Sequence, residues 1–281
     1  MSTLLRAINR VSSLFSTDSG YAGLVRAAAF VLLFGALLLF LMEYRGREDQ
    51  TNRTSPDFTS LEAGPERKEA FLSFFLPIIL DQNQQVLKTR SVVLRLREDP
   101  STLSTSQRRR LLTLAEEYEI ENFEFESNED WDTLIRRIDV VPPSLALAQA
   151  ATESGWGTSR FAREGNNYFG HWCFVQGCGI VPQQRPDGAN HEVADFSSPV
   201  ESVERYFYNL NHHPAYLDLR QTRARLRGED ELITGLKLVK DLSSYSERGD
   251  AYIEEISSMI RFNDLTRYDL ALSAADEDSI L

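Results

Sequence analysis

Residues 27–42 (AAAFVLLFGALLLFLM) run for sixteen positions without a charge. Extended back across Arg26 to Tyr21, the segment reaches 22 residues, about what a helix needs to cross a bilayer. Arg6 and Arg10 before the run would also suit a secretory signal. However, no small-x-small cleavage site follows, since the run ends Leu41-Met42-Glu43-Tyr44-Arg45. A buried core helix is the third reading, and the polar tract that follows at once argues against it. We read 21–42 as an uncleaved transmembrane anchor and 1–20 as a cytoplasmic tail. Arg6, Arg10 and Arg26 are nearly balanced by Arg45, Arg47 and Arg53, so the positive-inside rule decides little. A short N-terminal tail before a long C-terminal domain gives N-in, C-out. The expected location is a single pass through the inner membrane, with the domain in the periplasm.

The whole chain has 30 basic and 42 acidic side chains, a formal charge of −12. Three of the arginines and Asp18 fall within residues 1–42, so the remainder holds 27 basic and 41 acidic groups, or −14. Such a domain lacks the clustered basic charge that phosphate contacts need, which excludes nucleic acid as a partner. The 16 Phe and 10 Tyr speak for a packed core. Two cysteines exclude a disulfide-rich scaffold and a four-Cys zinc ribbon.

Residues 43–67 have few large apolar side chains and read as a flexible linker. From Lys68 helical signals begin, with Phe71, Phe74, Phe75, Ile78 and Ile79 at three-to-four spacing. Ser104-x-x-Gln107 predicts a capping box for a helix ending near Tyr118. Asn128 is expected to cap a helix with Trp131, Leu134, Ile135 and Ile138 on one face. These stripes are core, and 68–140 form a helical N-terminal part. Residues 141–270 follow as a second domain, with an acidic tail at 271–281. Pro142-Pro143-Ser144 opens an Ala/Leu-rich helix that stops at Gly155, and a short helical turn closes at Gly165. Residues 171–195 lack helical period and read as a small β-hairpin lobe. Ser198-Pro199-Val200-Glu201 is a second capping box, and further helices are expected at 215–227 and 252–260.

Glu153 is the one carboxylate in the Ala/Leu-rich helix, one residue before its end. The negative end of the helix and apolar neighbours both disfavour ionisation, as a general acid near neutrality requires. Trp156, between two glycines, offers a flat face for a sugar ring.

The stretch A-Q-A-A-T-E-S-G-W-G-T-S-R-F-A, followed by Asn166-Asn167-Tyr168-Phe169-Gly170, resembles the glucosaminidase domain of glycoside hydrolase family 73. Within it the chain is most similar to the Bax-type bacterial proteins. The similarity includes the W-C-x4-C-G block at Trp172, Cys173, Cys178 and Gly179, the segment His191-Glu192-Val193, and the Y-x-x-N-L-N-x-H-P-A-Y stretch from Tyr206 to Tyr216. The resemblance runs from about Phe71 to Asp269. It implies a lysozyme-like, mainly α fold of the α+β class with a small β lobe beside a cleft. It also implies cleavage of the β-1,4 bond after N-acetylglucosamine in peptidoglycan glycan strands, with no cofactor. Glu153 matches the catalytic acid, and Asn167, Phe169 and Gly170 match a turn that supports the cleft. Tyr206 matches a tyrosine kept near that acid. Trp156, Trp172, Asn209 and Tyr216 are expected beside them at the substrate. The alternatives are a lytic cleavage ending in an anhydro sugar, and an idle wall-binding scaffold that keeps the fold.

Two carboxylates normally share glycoside hydrolysis. The candidates for the second are Asp187, Glu192 and Asp195, with Glu192 first because it belongs to the Bax-type block. The substrate's own N-acetyl group is another option. An exported domain favours a disulfide between Cys173 and Cys178. Free thiols, or a Cys2His2 zinc site with His171 and His191, are the alternatives. His212 and His213 read as a helix-end cap or cleft wall. Arg220, Arg223, Arg225 and Arg227 read as a solvated helix face.

Overall fold

The computed structural model describes residues 54–183, 185, 188 and 190–272, with Gly35 standing alone before them. Residues 53–281 form one compact unit, distinct from residues 1–52. The expected tail, anchor, first half of the linker and nearly all of the acidic tail lie outside the described residues. Among the described residues, no helix is long and apolar enough to cross a membrane.

The helices are α1 (Pro65–Arg97), α2 (Thr105–Glu117), α3 (Asn128–Arg137), α4 (Pro143–Ser154) and α5 (Arg160–Gly165). Three short strands follow: β1 (Trp172–Cys173), β2 (Gly179–Ile180) and β3 (Glu192–Ala194). Then come α6 (Pro199–His212), α7 (Leu217–Gly228), α8 (Gly235–Leu238) and α9 (Asp250–Phe262). The architecture is mainly helical with a three-stranded antiparallel sheet in the order β1-β3-β2. Trp172 pairs with Val193 and Cys173 with Glu192 on one side, and Gly179 with Ala194 on the other.

Helix α4 sits in the middle because its first turns are almost wholly apolar: Leu145, Ala146, Leu147, Ala148, Ala150 and Ala151 are all fully buried. A helix apolar all round is stable only when neighbours cover every side. Here α1, α8 and α9 pack against it. Asp269 takes the Ser144 N–H and hydroxyl at its first turn, at 2.9 and 2.7 Å, placing a carboxylate at the positive end of the helix. Asn83 of α1 pairs with Val141 through both its amide groups, at 2.9 Å each.

Several expectations shift. Phe58 is buried against Phe71 and Phe74, so the solvated linker ends before it, not at residue 67. Helix α1 starts at Pro65, where a proline suits the first helical position. The cap of α3 is Ser127, whose hydroxyl accepts from the Asp130 N–H; Asn128 is the first helical residue. The Ser104–Gln107 capping box forms in both directions. The second box forms by half: Ser198 caps the Glu201 N–H, while the Glu201 carboxylate turns to Ser197.

The arginines of α7 are not a solvated face. Arg220 and Arg223 are buried and spend their N–H groups on main-chain carbonyls. Arg223 also reaches the Asn211 side chain at 2.7 Å. Arg227 grips the buried Asp139 carboxylate through both oxygens, and Arg90 and Arg223 each stand 3.6 Å from it. Three cations hold the Asp139 carboxyl at about 2, against a burial that pushes the other way. Arg225 alone of the four faces water, paired with Glu229.

Candidate active site

Helix α4 ends in three consecutive left-handed residues: Gly155 at φ 58°, Trp156 at 58° and Gly157 at 78°. A bulky residue in that region costs about 1–3 kcal/mol and persists only where its surroundings fix it. Here the Trp156 N–H returns to the Ala151 carbonyl at 2.8 Å. The Ser154 hydroxyl donates to Ala150 and accepts from the Gly157 N–H. A Cβ on Gly157 would fall 2.3 Å from the Phe58 ring, so the close approach demands glycine. The Trp156 ring meets Phe71 edge-on at 5.5 Å and carries the Lys68 ammonium over its face at 5.1 Å. The turn after Glu153 is thereby locked to α1.

Glu153 is half-buried, and each of its oxygens has a fixed neighbour. The Tyr252 hydroxyl donates to Oε1 at 2.8 Å. Oε2 lies against the backbone of Gly170, where a Cβ would stand 3.3 Å away. Behind Tyr252 runs a directed chain. The Tyr206 hydroxyl donates to Gln149 Oε1 at 2.6 Å, and Gln149 Nε2 donates to the Tyr252 hydroxyl at 2.8 Å. Every donor is committed forward, so the Tyr252 proton points at Glu153. Tyr245 stacks on Tyr252 with rings 5.5 Å apart and donates to the Phe169 carbonyl at 2.9 Å. Phe169 in turn stacks on Tyr206 at 4.1 Å.

Desolvation pushes the Glu153 carboxyl above the ordinary glutamate range. The Tyr252 hydrogen bond opposes this, Glu255 adds to it, and Arg248 opposes it. Arg248 and Glu255 pair with each other at 2.6 Å, which mutes both. Burial raises the four surrounding tyrosines, Tyr216 to about 12 and Tyr206, Tyr245 and Tyr252 upward as well. All four keep their protons at any physiological pH and stay donors.

The structure brings Glu153, Gly170, Tyr206 and Tyr216 into one neighbourhood. Tyr206 is fully buried, however, and acts on Glu153 only through Gln149 and Tyr252. It is a positioning residue, not the catalytic one expected. Asn167 and Phe169, expected at the substrate, are likewise buried. The Asn167 amide donates to the His171 and Ala194 carbonyls at 2.9 Å each and accepts from the His171 N–H, which fastens the β lobe to the turn. Asn209 bonds the buried Tyr216 hydroxyl. Trp172 is half exposed, its ring 4.7 Å from that of His191.

Glu192, expected as the second acid, is engaged by its own loop. It sits on β3 opposite Cys173, and its two oxygens accept the Gly177 and Gly179 N–H groups at 3.1 and 2.9 Å. Those bonds hold its carboxyl below the usual range and tie it to the loop it closes. Asp195 lies at the base of the lobe beside Gly165, and Asp187 is outside the described residues. Cys173 and Cys178 form a disulfide, which uses the sulfurs a Cys2His2 zinc site would need. His171 is enclosed by Phe169 and Phe196 and pushed down to about 4 by burial, while His191 packs on Trp172. His213 caps a helical turn by accepting from the Ala215 N–H at 3.2 Å, as its position beside Pro214 suggests.

Sequence reasoning passes over Tyr252, Tyr245 and Gln149. Gln149 had a signal, because it lies four residues before Glu153 and therefore on the same face of α4. Tyr252 and Tyr245 had none, being about a hundred residues away in an ordinary amphipathic stretch.

Comparison with known proteins gives the family. Residues 129–265 match the Glucosaminidase family, described as mannosyl-glycoprotein endo-beta-N-acetylglucosaminidase. Over 217 residues the chain is 34% identical to Protein bax of Escherichia coli strain K12, covering 77% of each. The chain belongs to the glucosaminidase family. The family match spans α3 to α9 and contains Glu153, Gly170 and Tyr252, whereas α1 and α2 lie before it. Among solved structures, the catalytic domain of the autolysin Auto from Listeria monocytogenes is similar at 17% identity and a TM-score of 0.41, over 80% of this chain and 96% of that one.

Proposed function

We propose that this glucosaminidase is a peptidoglycan hydrolase that cleaves the β-1,4 bond after N-acetylglucosamine. The observation that carries the reading is Glu153: a half-buried carboxyl whose ionisation is disfavoured, aimed by Tyr252 and bordered by the Gly170 turn. Protonated Glu153 donates to the departing glycosidic oxygen as the sugar gains oxocarbenium character. The Tyr252 hydroxyl stabilises the carboxylate this leaves behind. Because Glu192 is engaged by its own loop, we assign the second role to the substrate's N-acetyl oxygen, which attacks the anomeric carbon from the opposite face. Water then opens that intermediate, with Glu153 taking back a proton.

The lytic route is the second reading. It also needs only one acid, and the engagement of Glu192 favours it equally. We further propose that residues 21–42 anchor the enzyme in the inner membrane with the catalytic unit in the periplasm, so that the glycan is reached from the membrane side.

Digestion of purified sacculi by the full-length protein, with mass analysis of the released sugars, tests this. Reducing N-acetylglucosamine ends are expected from wild type and about a hundredfold fewer, or less still, from Glu153→Gln. Anhydro-muramic ends would replace the hydrolytic step with the lytic one. Equal and empty digests from both proteins would remove the enzymatic reading.

A further inference from the structure

Residues 54–60 lie ahead of α1 and well before residue 129, where the family match begins. They nevertheless touch both turns that border Glu153. On one side, the buried Phe58 ring fills the notch left by Gly157, its Cδ2 and Cε2 atoms 2.3 and 2.9 Å from where a Cβ would stand. On the other, the side chains of Ser55 and Tyr168 are hydrogen-bonded. Tyr168 comes two residues before Gly170, whose backbone meets Glu153 Oε2. The segment between these contacts holds its own shape. The Asp57 carboxylate accepts from the Thr59 hydroxyl and from the Thr59 N–H at 3.0 Å, and the Ser60 N–H returns to the Asp57 carbonyl at 3.1 Å. Arg67, in the first turn of α1, donates to the Leu61 carbonyl and ties the segment to that helix.

Three consecutive left-handed residues, one of them a tryptophan, persist only where packing over-determines them. Helix α1 supplies part of that packing through Phe71 and Lys68, and Phe58 closes it from the far side of Gly157. Phe58 packs on Phe71 and Phe74 with rings 5.3 and 6.2 Å apart, while Tyr168 packs on Phe75 at 4.5 Å and Phe71 at 6.4 Å. One aromatic block therefore spans the two turns. We infer that residues 55–58 are a strap that aims Glu153, with Phe58 and Ser55 as positioning residues acting through Gly157 and Tyr168. The catalytic unit of this chain thus begins at residue 55 and not with the family stretch. This inference rests on the reading of Glu153 as the acid.

The test is carbon-13 titration of the Glu153 carboxyl in the full-length protein, run beside sugar release from sacculi. Phe58→Ala removes the wedge and lets water between the turns, so the carboxyl should titrate closer to about 4.3, the ordinary glutamate value. Release at saturating sacculi should fall about tenfold with the half-saturating amount unchanged, because aim is lost and no substrate contact is. Phe58→Leu should restore most of the rate. Gly157→Ala should slow wild type more than it slows Phe58→Ala, because the ring it strikes is then gone. The control is Phe123→Ala, which removes another buried phenylalanine, packed on Phe125 and Trp131 between α2 and α3. It should lower the thermal midpoint, as a cavity does, and leave the Glu153 titration and the release rate alone. Ser55→Ala, at a half-buried position, keeps the test open if Phe58→Ala does not fold, and should move the titration the same way by less. A Glu153 titration unmoved by both strap variants, or moved as far by Phe123→Ala, overturns the strap. If wild type releases no sugar, the hydrolase reading fails by itself, and the carboxyl titration still decides the strap.

Discussion

Asp139 and Glu153, two carboxylates at opposite ends of α4, are both shielded from water and are driven in opposite directions. Asp139, at the junction of α3 and α4, is fully buried among Arg90, Arg223 and Arg227 and is held ionised, its carboxyl at about 2. Glu153, at the other end of α4, has one neutral hydroxyl donor and a carboxylate neighbour at Glu255, and its carboxyl rises. Burial is common to both, so burial does not set the charge. The partners do. Where cations converge, the acid becomes a structural anchor. Where burial meets a neutral tyrosine donor and a mutually paired Arg248 and Glu255, the carboxyl rises above the ordinary glutamate range, in the direction a general acid requires.

The difference can be broken from either side. The largest effect belongs to Glu153→Gln, which should cut sugar release from sacculi by roughly a hundredfold or more, the scale of losing a general acid. The fold should survive, because the amide accepts the Tyr252 bond as the carboxyl does. Asp139→Asn should do the reverse, lowering stability by about 3–5 kcal/mol in urea unfolding, since three arginines lose their shared anion. The sign with pH follows from its depressed carboxyl. The contribution of Asp139 is complete above about pH 4, where it ionises in the unfolded chain, and is lost as pH falls towards 2. The stabilities of wild type and Asp139→Asn should therefore converge in acid. A smaller change is expected from Tyr252→Phe. Losing a hydrogen bond that favours the carboxylate moves the Glu153 carboxyl further up, so the alkaline limb of the kcat profile shifts to higher pH. The rate falls roughly tenfold as the carboxyl loses its aim. An unmoved limb would detach Tyr252 from Glu153.

Much of α4 was legible before the structure. An Ala/Leu run with one carboxylate, opened by proline and closed by glycine, dictates a buried helix with an acid at its end. The stop at Gly155 is legible too, but the left-handed Trp156 and the approach of Gly170 to Glu153 are seen only in the fold. The remainder depends on partners far away in sequence. Nothing around Tyr252 shows that it will meet Gln149 and Glu153, because α9 reads as an ordinary amphipathic helix. Arg220 and Arg223 are illegible for the same reason. An Arg-rich stretch looks solvated until Asp139 and a set of orphaned carbonyls on other elements claim it. Glu192 was recognised as special, but local pattern cannot tell an acid that serves a substrate from one that serves a loop. Only the Gly177 and Gly179 bonds separate the two.

The central claim is that its surroundings keep Glu153 protonated above the range of an ordinary glutamate. Carbon-13 titration of the glutamate carboxyls, with Glu153→Gln to assign the signal, measures this directly. The expected result is one carboxyl titrating clearly above about 4.3, the value of an unperturbed glutamate, and climbing further in Tyr252→Phe. A Glu153 signal at or below that value, unmoved by Tyr252→Phe, would contradict the account.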